Sequence, residues 1–299
     1  MNQRDGIGRL LAARDLAVLE RMAIGSRFAV EGSLAGAHRS PRKGISIEFA
    51  DRRPYVPGDD TRHLDWKVFA RSERLSLRQY EEETSLRLLL CVDCSASMGY
   101  AGEGDSKYRY ASRCAAALAY MTLKRQDNVG LLLFNDQQQD YLQPGGTPEH
   151  LRRLCNLLGD CRPQGQTSLG PPLHRLAEAN PRRSLIAIFS DCFGELEELR
   201  SALAHFRRQR HDVILYQILD RDETDFPFRD PTVFHDPEDD TELTVSPADI
   251  RQSYQEQFGT FLRQSRELCA ALNVDYQQVV TDESPMQMLT RHLKRRALL

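Results

Sequence analysis

Four short, almost wholly apolar segments punctuate the last two thirds of this chain: "LRLLLCVD", "NVGLLLFND", "RSLIAIFSD" and "DVILYQILD". A strand that is apolar throughout, rather than at every second position, must be covered on both faces. Helical segments such as "KYRYASRCAAALAYMTLKRQ", with its Ala-rich apolar stripe, and "ELEELRSALAHFRRQR" lie between them. Buried strands alternating with helices dictate a parallel sheet with helices on both sides. Two more polar segments, "QQDYLQPGG" and "VDYQQVVT", bring the strands to six. The expected fold class is α/β: a doubly wound, mostly parallel six-stranded sheet of Rossmann type, in the strand order 3-2-1-4-5-6.

The rest of the chain reads as additions to that sheet. Residues 8 to 23 place Leu10, Leu11, Leu16, Leu19 and Met22 near one face of an amphipathic helix. Residues 24 to 46 read as loop, "ISIEF" and "LSLRQYEEE" as strands, and "YVPGDDTRHLDWKVFAR" as a turn and a short helix. Thr147, Pro148 and Glu149 form a helix-start signature. Residues 221 to 246 are acidic and turn-rich, with "PTVFHDPEDDTELTV" as an exposed hairpin. A long helix over 247–272 and a basic one over 285–297 follow. The expected organisation is an N-terminal helix/β extension, 1–84, and an α/β domain, 85–299, with the hairpin inserted at about 221–246.

Composition excludes several functions. A net charge of −3 gives no global pull towards nucleic acid or an anionic membrane, so neither is expected as a partner. No apolar run approaches the roughly 20 residues of a membrane span, and the N-terminus lacks a secretory core. The expected location is the cytoplasm. The seven cysteines form no paired CxxC pattern and have no histidine at ligand spacing; reduced thiols are expected rather than disulfides or zinc. No phosphate-binding GxxxxGK[ST] and no GxSxG elbow occurs.

Ligands of a doubly wound sheet sit beyond the strand ends where the order reverses, here between the first and fourth strands. The first ends in Asp93, Ser95 and Ser97 at alternate positions; the fourth ends in Asp191; the loop "GQTSLG" offers Thr167 to the same crevice. All five candidate ligands present oxygen, which suits Mg²⁺, with Mn²⁺ or Ca²⁺ as alternatives. With three of the five neutral, a bound ion would stay electron-poor and welcome a partner's carboxylate. Two other readings compete. Ser95 and Ser97 could simply cap a strand-to-helix turn. A metal-dependent phosphohydrolase could use Asp93 as nucleophile, but that chemistry wants a second aspartate two positions on, and Ser95 stands there. Cys94 and Cys192 flank the site; packing thiols are the favoured reading over a redox pair.

The set Asp93-x-Ser95-x-Ser97, Thr167 and Asp191 resembles the metal-ion-dependent adhesion site of von Willebrand factor A-type domains over about residues 85–290. The resemblance implies that Ser95, Ser97 and Thr167 contact the metal directly, and Asp93 and Asp191 directly or through water. The segments "RPYVPGDDTRHLDWKVFARSERLSLRQYEEE" and "DFPFRDPTVFHDPEDDTELTVSPADIRQSY" resemble the bacterial family called "domain of unknown function 58". That likeness implies a non-enzymatic adaptor or chaperone-like partner of a MoxR-type AAA+ ATPase. In "GDDTRHLDW", Asp60 or Asp65 is expected to pair with Arg62, and Trp66 to anchor a core. His63, His174 and His235 read as ordinary histidines, and "HLKRR", 292–296, as a basic helix end favoured by the dipole.

Overall fold

The computed structural model describes residues 6–25, 48–54, 69, 75–81, 87–137, 139–239 and 241–297. Contacts divide the chain into two compact units, Met1–Leu34 with Leu86–Leu299, and Ala35–Ser85. The smaller unit contains β1 (Glu48–Pro54) paired antiparallel with β2 (Ser76–Glu81). Of the loop expected over 24–46, residues 24 and 25 instead end the helix Ala13–Gly25, and the rest, with the pairing of Arg62 and the anchor role of Trp66, lies outside the described residues.

The larger unit is built on β3 (Arg87–Asp93), β4 (Asn128–Phe134), β5 (Gln139–Gly145), β6 (Leu185–Ser190) and β7 (Asp212–Leu219). A hairpin of β8 (Thr232–His235) and β9 (Glu242–Val245) follows, and then β10 (Asp275–Val280). Six of these form one sheet in the order β10-β7-β6-β3-β4-β5. That is the order expected from the sequence, with the first and fourth strands, β3 and β6, side by side. All neighbours run parallel except β4 and β5. β5 is an edge strand whose one buried residue is Leu142, which is why its sequence is the polar one.

Alternation along β3 feeds two cores. Leu88, Leu90 and Val92 pack with Ala115, Ala119 and Leu154 on one face; Leu89 and Cys91 pack with Leu173, Leu203 and Phe206 on the other. Small residues let the helix Lys107–Lys124 lie close against the sheet, and Ala115, Ala116, Ala117 and Ala119 are fully buried. The helix Pro148–Asp160 starts as its signature predicts, with the Thr147 hydroxyl accepting from the His150 amide at 3.1 Å.

The first helices join the larger unit. Gly6–Leu10 packs on Pro148–Asp160, and Ala13–Gly25 on Lys107–Lys124, burying Leu10, Leu11 and Leu19 in the first core. The C-terminal "HLKRR" does more than finish a helix. His292 is buried and bonds Asp275 Oδ2 at 2.9 Å and the Tyr216 hydroxyl at 2.8 Å, while Arg296 reaches the same Asp275 oxygen at 2.8 Å. His174 is a hydrogen-bonding histidine, its Nδ1 2.8 Å from that of His205.

Candidate metal centre

The parallel register sets Val92 opposite Phe189, so the ends of β3 and β6 bring Asp93 beside Ser190 and Asp191. Asp93 is fully buried, and both its oxygens are engaged. Oδ1 accepts from the Ser95 amide at 2.9 Å, and Oδ2 from the Ser190 hydroxyl at 2.6 Å. Burial and the nearby charge of Asp191 lift its pKa to about 7 against those hydrogen bonds. Two buried carboxylates that repel one another ask for a cation.

Lys107 supplies one. It begins the helix Lys107–Lys124, where a cation opposes the helix dipole, and it is fully buried. Its Nζ lies 2.7 Å from Asp191 Oδ2 and 2.5 Å from Glu223 Oε1, and 4.7 Å from the centre of the Phe193 ring. Burial disfavours the ammonium, but Asp191 and Glu223 outweigh it and hold its pKa above the ordinary value. Asp191 Oδ1 accepts from the Phe193 amide at 3.1 Å. That return is made by Cys192, whose left-handed backbone (φ 62°) turns the chain sharply after the strand.

The hydroxyls converge from two segments. Ser95 Oγ and Ser97 Oγ are 3.2 Å apart, and Ser97 Oγ is 3.5 Å from Thr167 Oγ1. The loop carrying Thr167 is tied to the strand ends along its length. Gln164 N donates to Cys94 O at 2.9 Å, Ala96 N to Gly165 O at 2.9 Å, and Gln166 N to Asp136 Oδ1 at 2.8 Å. Gly165 has φ 70°, and a Cβ there would meet Asp136 Oδ1 at 2.4 Å. Neighbouring ligands of an octahedral Mg²⁺ at its usual bond length stand about 3 Å apart, so this spacing of three neutral oxygens suits a hard cation.

The five residues expected from the sequence therefore gather at one sheet end. Ser190, Lys107, Glu223 and Glu238 belong with them and were not read from the sequence. Glu238, from the turn of the β8–β9 hairpin, accepts from Thr167 N at 3.2 Å and Thr167 Oγ1 at 2.8 Å. Ser190 carried a signal, being the strand's last residue before Asp191; the other three are brought in by tertiary structure. The Cys94–Cys192 pairing is not favoured, because Cys94 packs in the first core and Cys192 in the second, across the sheet.

A family model described as "Protein of unknown function DUF58" matches residues 51–266. "Uncharacterized protein Rv1480" of Mycobacterium tuberculosis is 26% identical over 237 residues, 78% of this chain and 74% of that one. Among solved structures, the "conserved hypothetical protein BatB from Bacteroides thetaiotaomicron" is similar at a TM-score of 0.45 and 13% identity, covering 72% of this chain and 100% of that one. The "SpRpn10 VWA domain" is similar at 0.40 and 8%, covering 70% and 95%. Among the described residues, no helix is long and apolar enough to cross a membrane.

Proposed function

The chain belongs to the family described as "Protein of unknown function DUF58", and from that premise we propose that it is a non-enzymatic protein-interaction module acting through a metal ion. Ser95, Ser97 and Thr167 would hold Mg²⁺ through their hydroxyls, with Asp93 and Asp191 behind them. A bound dication would supply the positive charge that draws a partner's carboxylate. The observation that carries this reading is the convergence of three neutral hydroxyls over two buried, mutually repelling carboxylates. The family resemblance read from the sequence points to a MoxR-type AAA+ ATPase as the partner.

The burial of Asp93 speaks against the phosphohydrolase alternative. A nucleophile needs an oxygen facing substrate, and both oxygens of Asp93 accept hydrogen bonds from within the fold. Ser95 also leaves that chemistry without its second carboxylate.

Calorimetric titration of Mg²⁺ tests the metal. Binding is expected for the wild type and none for Asp93→Ala; no binding to either overturns the site. Affinity capture of the ATPase, expected to vanish with EDTA, tests the partner; capture indifferent to chelator removes the metal from the interaction.

A further inference from the structure

We propose that Glu238 is a built-in ligand of this site, so that the β8–β9 hairpin occupies the place a partner's carboxylate would take and must be displaced for a partner to bind. This rests on the metal-dependent reading above and adds a regulation to it. The observation is a carboxylate already docked on one of the proposed ligands. Glu238 Oε1 accepts from Thr167 Oγ1 at 2.8 Å and Oε2 from Thr167 N at 3.2 Å, across 71 residues of sequence.

The surroundings single this side chain out. His235, Asp236, Pro237 and Asp239 are exposed, and Glu238 alone among them is half-buried. The turn is shaped to present it: Asp236 N donates to Thr241 O at 2.8 Å, and Glu238 N to Asp236 Oδ1 at 2.8 Å. Thr241 N and Thr241 Oγ1 both donate to Asp239 Oδ1 and close the turn, while Glu238 reaches out of it to Thr167.

The base of the hairpin is clamped by different chemistry. Phe234 stacks at 5.8 Å on Phe226, which lies 4.5 Å from Tyr254, and Arg251 donates to the carbonyls of Phe226 and Phe228. The base is fixed by aromatic packing and the tip reaches Thr167 through a carboxylate, so the tip can detach while the base stays. Val233 and Leu243 are 54% and 60% exposed, so the strands themselves add little apolar packing to hold it down. A tethered carboxylate competes at an effective concentration of about millimolar or more, which a weak free carboxylate does not match.

The test uses the full chain with Glu238→Gln, and Glu242→Gln as a control on the same hairpin. Hydrogen exchange at the Thr167 amide reads docking without any metal: Glu238→Gln is expected to speed it about tenfold or more, with Glu242→Gln at the wild-type rate. An unchanged Thr167 rate overturns the proposal. Mn²⁺ then serves as a probe, its binding followed by electron paramagnetic resonance, with ¹³C-acetate as the free carboxylate. Line broadening of acetate is expected to rise about fivefold or more in Glu238→Gln, because the occupied fraction no longer reduces apparent affinity. Equal broadening in wild type and Glu238→Gln, with Mn²⁺ bound to both, also overturns it. If no Mn²⁺ binds, the metal reading falls and the self-ligand proposal falls with it, while the Thr167 exchange rate still reports the contact itself.

Discussion

The Lys107 ammonium sits 2.7 Å from Asp191 Oδ2, with both side chains shut away from solvent. A cation therefore already faces one of the two carboxylates at the sheet end, and Glu223 completes the pair from the other side. Lys107→Met leaves the buried Asp191 and the partly buried Glu223 without their counter-charge. Removing one partner of a buried pair costs about 3–5 kcal/mol. Urea unfolding should show a loss of that size; a loss near zero would mean the pair is not formed in solution.

Thr167→Ala removes one proposed metal ligand and the donor to Glu238 Oε1 together. The side chain is only half-buried, so stability should fall by about 1 kcal/mol. Mg²⁺ affinity should fall at least about tenfold. A thermal melt and a calorimetric titration on the same sample separate the two effects.

Asp275 gives the fold an acid limit. Burial pushes its carboxyl up, but His292 and Arg296 outweigh burial and hold it at about 2, below the ordinary 3.8. A depressed carboxylate contributes stability that is complete above the unfolded value and is lost as pH falls through the folded one. Stability should drop by up to about 2 kcal/mol between pH 4 and pH 2 from this group. In Asp275→Asn that part of the acid slope should disappear from pH-dependent urea melts.

Gly130 lies in the middle of β4, between Leu89 of β3 and Leu142 of β5. A Cβ there would stand 2.8 Å from Leu89 Cδ2 and 3.1 Å from the Leu142 carbonyl oxygen. Leu89 is in the packed second core, and the carbonyl is backbone, so neither yields freely. Gly130→Ala should destabilise by about 1–3 kcal/mol, measured by thermal or urea unfolding.

Mild oxidation followed by peptide mapping should yield no Cys94–Cys192 disulfide. The two thiols belong to cores on opposite faces of the sheet. Finding that link would require the strand ends to rearrange.

The central strands were legible because burial on both faces leaves a direct mark: "LLLCVD" and "LIAIFS" admit no polar face, and their order followed from the common doubly wound arrangement. The helix start at Thr147 was legible because capping is a local matter of neighbouring residues. That Asp93, Ser95 and Ser97 lie together was legible because they are neighbours in the chain. Lys107 was not. It opens an Ala-rich helix and carries the look of an exposed terminal charge, and its burial follows from Asp191 and Glu223, 84 and 116 residues away. Glu238 sits in a run of acidic residues whose sequence does not distinguish it from Asp236 or Asp239; the curl of the hairpin does. His292 was hidden similarly, since the Asp275 it serves lies on another element.

The tying of the Thr167 loop to the ends of β3 and β4 also has a consequence in time. On a ribosome, the hydroxyl trio is incomplete until the chain has grown past residue 167, and Asp191 and Glu238 arrive later still. A chain stopped between residues 191 and 238 would carry all five proposed ligands without the carboxylate proposed to cover them, so the cover is made only after the site.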